Sequence, residues 1–138
     1  MKSILLFSVA ILLVNSFSSC KKSIDQRKED YVLSVMTNGR WFLESYVENG
    51  VDNTVDFLGY EFQFYEAEKL EAISNAGTET GLWVGDINNL TLTVNFASTG
   101  ELLKRLNHVW QFVDSHVGLV FAETTTPAGK ISIRLRRK

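Results

Sequence analysis

Cysteine and proline are almost missing from these 138 residues: Cys20 and Pro127 stand alone. One thiol cannot form a disulfide within the chain, and it leaves no cysteine cluster for zinc. Histidine is scarce too, and no cysteine or carboxylate is spaced to complete a metal set with His108 and His116. Neither charge sign dominates. The 14 Lys and Arg against 16 Asp and Glu give a formal net charge of −2, which is no footprint for nucleic acid. The longest apolar run, Ile4 to Val14, falls short of the roughly 20 residues that cross a hydrocarbon core. No G-x-S-x-G elbow and no glycine-rich phosphate loop occurs. Glu66, Glu68 and Glu71 read as a solvated strand end rather than an acid/base pair, and Asp52, Asn53 and Asp56 match no calcium-loop spacing. These absences argue against an enzyme, and no cofactor or metal is expected.

The N-terminus carries the most specific signal. A positive start at Met1-Lys2, the apolar run, and the small polar stretch Asn15 to Ser19 follow the order of a secretory signal. Phe17-Ser18-Ser19-Cys20 resembles the lipobox of bacterial lipoproteins. That resemblance implies a signal peptide over residues 1–19, cut before a diacylglycerated Cys20 whose new N-terminus is acylated. Residues 20–23 are then a lipidated tether and residues 24–138 the domain it holds to membrane lipid. Lys21-Lys22 reads as a solvated linker or as an attraction to anionic lipid of about 1 kcal/mol per charge. By resemblance to lipoprotein sorting rules, Lys21 after the cysteine implies the outer membrane. The lack of an acidic surface-export tract implies a periplasmic face.

In the mature part a short helix opens at the capping box Ser23-x-x-Gln26 and stops at Asn38-Gly39. Its apolar residues Ile24, Tyr31, Val32 and Val35 fall near one face, suited to plugging one end of the next element. The hydrophobic period then changes to two. Trp41, Leu43, Ser45 and Val47 alternate with Phe42, Glu44 and Tyr46, before the hairpin signal Asn49-Gly50. Further strands are predicted at Tyr60 to Tyr65, Leu70 to Ser74, Thr80 to Asp86, Leu90 to Phe96, Val109 to Asp114, Val117 to Glu123 and Ile131 to Arg136. A second box, Ser98-x-x-Glu101, starts a short helix with Leu102, Leu103 and Leu106 on its apolar face. About eight antiparallel strands with short links and two small helices describe an all-β chain, an up-and-down meander closed as a barrel. Trp41-Phe42-Leu43-Glu44-Ser45 is echoed by Trp110-Gln111-Phe112-Val113-Asp114-Ser115.

A short helix followed by Gly39-Arg40-Trp41 at the first strand of an eight-stranded meander resembles the lipocalin and fatty-acid-binding superfamily. More closely, the chain resembles small lipocalin-like lipoproteins of Gram-negative bacteria. The resemblance implies that Trp41 lies at the closed end of the barrel, with Arg134 or Arg136 packing across it. Period two instead makes both arginines solubilising charges on an exposed face, and the two alternatives stay open here.

An eight-stranded barrel is just wide enough to be packed solid or to hold one small ligand. The candidate lining residues are Tyr60, Phe62, Phe64, Trp83, Leu92, Val94, Trp110 and Phe112. As a cavity they favour a small hydrophobic molecule; as a core they need none. Two functions are compatible with this: a lipid-anchored carrier of a small hydrophobic ligand, or a filled barrel that docks another envelope protein.

Overall fold

The computed structural model describes residues 26–27, 29–97 and 100–138. The signal-like segment, Cys20, and Ser23 and Ser98 of the two capping boxes lie outside the described residues. Helix α1 (residues 29–37) precedes a single antiparallel sheet. Its strands are β1 (Arg40–Glu48), β2 (Val51–Asp52), β3 (Glu61–Phe64), β4 (Lys69–Ser74) and β5 (Gly77–Asp86). They continue with β6 (Thr91–Asn95), β7 (Val109–His116), β8 (Leu119–Thr126) and β9 (Gly129–Arg137). Neighbours in sequence are neighbours in space, and β1 pairs with β9 along most of its length. The result is a closed eight-stranded barrel, with β2 as a two-residue extra strand folded back on β1. Asn49 (φ 53°) and Gly50 (φ 79°) make that turn in the left-handed geometry their sequence signals.

The seam between β1 and β3 is short, only Arg40 with Gln63 and Trp41 with Phe62. Beyond it a 3-10 turn (Thr54–Phe57) drops the buried Phe57 into the core beside Tyr46, ring centroids 4.8 Å apart. Ion pairs flank β1 on both sides. Glu61 of β3 meets Arg40 at 3.1 Å and also Lys138, while Glu44 meets Arg136 of β9 at 2.5 Å. Hydrogen bonds from Arg136 hold the Glu44 carboxyl below the usual carboxylate range, and Lys138 with Arg40 does the same for Glu61. A depressed carboxylate adds stability above its unfolded pKa and loses it as pH falls through the folded value. Thermal stability should therefore hold from neutrality to about pH 5 and fall below about pH 4. Melting curves of Glu44→Gln/Glu61→Gln should show a shallower acid-side fall than those of the parent.

Period two fails at two places, and both failures are bulges. Register slips between Leu43 and Ser45, so Glu44 is an extra residue and the fully buried side chain is Tyr46 rather than Ser45 or Val47. In β7 it slips between Phe112 and Asp114, leaving Val113 as the extra residue. Each bulge falls three residues after a buried tryptophan, which gives the echo between Trp41 and Trp110 a structural meaning. Each indole also clamps the segment before its strand. Trp41 Nε1–H donates to Met36 O at 2.9 Å, and Trp110 Nε1–H donates to Leu106 O at 2.9 Å. Met36 of α1 and Leu103 of α2 (Glu101–Lys104) are buried at opposite ends of the barrel, so each tryptophan fixes one plug. Helix α2 has Gly100 at its N-cap rather than starting at Ser98. The strand predicted to end at Asp114 continues to His116, so the turn lies at Val117-Gly118, where the next strand is predicted to begin.

Candidate functional site

The barrel interior is core. Phe62, Phe64, Trp83, Leu92, Val94 and Trp110 are buried, and Trp83 meets Phe64 edge to face at 5.3 Å. A void of about 20 Å³ remains between Phe62, Phe64, Leu92, Val94 and Trp110 and the side chains of Leu43, Leu70, Leu106, Ile133 and Leu135, room on the order of one water. Of the eight candidate lining residues only Tyr60 and Phe112 keep partial exposure, Tyr60 stacked on Phe62 at 6.4 Å. The two alternatives for the interior thus resolve to the filled one.

Space lies instead outside the strands, at the end that α1 covers. A cleft of about 660 Å³ opens between α1 and the β7–β8 hairpin, within the size range of small-molecule sites. Val32, Val35 and Met36 of α1 form one wall, and Phe112, Val120 and the hairpin turn form the other. Helix α1 is held there by burial of Met36, by the Trp41 bond to its last turn, and by Val32 lying over Gly85 of β5. Four large apolar side chains face the cleft while still exposed: Tyr31 at 66%, Leu90 at 53%, Val113 at 60% and Val117 at 89%. Leu90 also adopts a left-handed backbone (φ 53°), which costs a residue with a Cβ about 1–2 kcal/mol. Alternation predicts Leu90 as an inward strand residue; the β5–β6 turn directs it outward to the cleft edge. Contiguous exposed apolar surface of this kind, next to local strain, is typical of sites that bind something.

The polar groups of the cleft are few. Asp114 and His116 sit at its rim, carboxylate to imidazole 3.0 Å. Arg137 lines its floor, half-buried, with its backbone N–H donating to Gly118 O at 2.8 Å. Its stem explains Gly39: that residue has φ 89°, and a Cβ there would lie 3.3 Å from Arg137 Cδ. The arginine that packs by the Gly39-Arg40-Trp41 turn is therefore Arg137, the register partner of Trp41. Arg134 and Arg136 are both exposed on the outer face and share Glu44, and Arg134 lies 4.6 Å over the ring of Phe121. The packing of either across Trp41, implied by the resemblance, gives way to the exposed-face alternative, since β9 alternation sends their side chains outward.

Sequence reasoning missed Arg105. Its guanidinium covers Tyr46 at 4.9 Å and Phe57 at 5.5 Å, and bonds Asp56 at 2.7 Å and Glu48 at 3.3 Å. It covers these two core rings at the end opposite the cleft. Among the described residues no group of three His, Cys, Asp or Glu side chains converges as a metal cluster. His108, just before β7, packs edge-on to Trp110 at 5.6 Å, at the other end of that strand from His116.

Fold and site define a class: a closed antiparallel barrel with a packed interior and, among the described residues, an apolar cleft beneath α1. Among solved structures, a DUF4847 family protein from Bacteroides vulgatus ATCC 8482 has a similar fold. The two are 15% identical, with a TM-score of 0.59 over 78% of this chain and 97% of that chain. At that identity the likeness is one of fold. No family model matches the sequence, and no curated protein matches it.

Proposed function

We propose that this chain is a non-enzymatic, lipocalin-like lipoprotein, held through acylated Cys20 to the outer membrane and facing the periplasm, that binds a small hydrophobic ligand. The ligand space is the cleft beneath α1 rather than the barrel interior. The observation that carries this is the 660 Å³ cleft with Leu90 and Val117 exposed along its edge, beside an interior with room for about one water. The lipobox resemblance at Phe17 to Cys20 supports the anchor. In this arrangement the barrel is a rigid frame and α1, close in sequence to the tether, is one wall of the site.

A second function, docking of another envelope protein, has its own support. Leu82 and Val84 of β5 and Val109 of β7 are exposed at 58%, 46% and 56%. They share the outer face through Thr93, which pairs with both Val84 and Val109.

Expression of the full chain in its own host with labelled palmitate tests the anchor. Label should enter the protein, and Cys20→Ala should abolish both labelling and membrane fractionation; an unlabelled parent would remove the envelope assignment. Native mass spectrometry of the same preparation should show a co-purifying small molecule, and its repeated absence would favour the docking function.

A further inference from the structure

We infer, on the footing that Cys20 is acylated, that the face around the cleft mouth rests on the bilayer holding that anchor, with Leu90, Val113 and Val117 seated among the lipid head groups. Three observations select this face. The first is shape. The β5–β6 turn ends level with Phe112, whose N–H donates to Leu90 O at 2.8 Å, and β6 pairs with β7 no farther than Gln111. The β7–β8 pair runs on to His116 and Leu119. The hairpin thus projects past its neighbour by about five residues, roughly 15 Å of strand, as a lip with Val117 exposed at its tip. A free strand edge is commonly guarded by charge, but Asp114 and His116 of this lip face each other at 3.0 Å and Val113 stands exposed.

The second is the distribution of charge. Helix α1 crosses the barrel mouth from β1 to β5, where Val32 lies over Gly85. It parts the mouth in two: the β3–β4 turn with exposed Glu66 and Glu68 falls on one side, and the β5–β6 and β7–β8 turns on the other. Around the cleft Glu29 and Asp30 are offset in number by Arg27 and Arg137, so the contact is apolar rather than electrostatic. The third is reach. Gln26 is six residues from Cys20, at most about 20 Å of chain, against roughly 30 Å for a ten-residue strand such as β5. The tether therefore keeps the α1 end nearest the bilayer, and the exposed Val51, Val55 and Leu58 lie at the far end.

Size decides the occupant. Tyr31, Leu90, Val113 and Val117 fall short of the about 20–30 residues a side that a stable protein interface uses. A tethered contact needs far less, because the anchor makes it intramolecular, at an effective concentration of about millimolar. Seating at head-group depth also leaves the unpaired edge of β7 within reach of water, which hydrocarbon would deny it. The cleft then opens toward the phase in which a hydrophobic ligand dissolves.

The test places the full chain in phosphatidylcholine discs, one chain per disc, with a nitroxide at the head-group end of the acyl chains. Methyl signals of Leu90, Val113 and Val117 should broaden several-fold more than those of Leu82, Val84 and Val109 on the barrel side, or of Val51, Val55 and Leu58. The pattern should persist from low to high salt, since screening acts on charge alone. Val113→Ser/Val117→Ser should reduce the broadening of Leu90 to that of Leu82, with palmitate uptake and membrane fractionation as in the parent. Val117→Ser alone serves in its place if the double variant loses the native spectrum. Equal broadening on all three faces, or the strongest at Leu82, Val84 and Val109, in a chain that takes up palmitate would overturn the docking face while the anchor stands. A chain that takes up no palmitate would lose the anchor and this inference with it. Broadening seen only with two chains per disc would give the face to a second copy instead.

Discussion

Trp41→Ala is expected to lower the unfolding free energy by about 3–5 kcal/mol, the range for truncating a buried aromatic. Trp41 is completely buried where β1, β3 and β9 meet, paired with Phe62 on one side and Arg137 on the other. Removing it opens a cavity at the shortest seam of the barrel and leaves Met36 O without its indole donor. The effect should also reach the cleft, because that bond holds the last turn of α1 to the barrel. Trp41→Phe separates the two roles. It retains much of the apolar packing but loses the hydrogen bond and leaves the Met36 carbonyl unpaired, a change of about 1–3 kcal/mol, and it should weaken ligand binding by freeing one wall of the site. Denaturant unfolding of both variants checks the stability terms. Loss of less than about 1 kcal/mol in the alanine variant would contradict the keystone role given to Trp41.

Gly81→Ala should cost about 2–3 kcal/mol although it adds a single methyl group. Gly81 lies buried in the middle of β5, opposite Leu70. A Cβ built there would meet Phe96 Cδ1 at 2.6 Å and Asn95 O at 2.7 Å. The phenyl ring can rotate only into neighbours as buried as itself, and the carbonyl belongs to the paired backbone of β6, so neither contact relaxes cheaply. Since the residue has no positive φ, the demand for glycine is one of space alone. Thermal melts should show a large drop for alanine and a larger one for valine. A neutral result would mean that β5 and β6 can separate there without loss.

Much of this architecture is legible in the sequence, because inward residues on unbulged strands alternate cleanly. Leu92 and Val94, or Ile131, Ile133 and Leu135, are buried where period two puts them. What stays hidden depends on partners distant in the chain. Glu44 is the bulged residue where β9 brings Arg134 and Arg136 against it, and that one-residue slip moves Tyr46 from the outer face into the core. The repeat of a tryptophan three residues ahead of both bulges is the available signal. Arg105 has no local mark, since Glu48 and Asp56 reach it only once the barrel has closed. The cleft is hidden for a related reason. Leu90 and Val117 continue apolar strand patterns on paper, but each sits in a turn beside asparagine or glycine, where the chain leaves the sheet and the side chain leaves the core. An apolar residue beside such turn formers is the cue that exposes the site.

Methyl resonances of the full chain, observed during addition of octanoate, locate a bound ligand directly. Binding in the cleft beneath α1 predicts the largest shifts at Val32, Val35, Leu90 and Val117, with Leu43, Leu70, Leu92 and Leu135 little changed. Dominant shifts at those four interior leucines would place the ligand inside the barrel and contradict the cleft as its site.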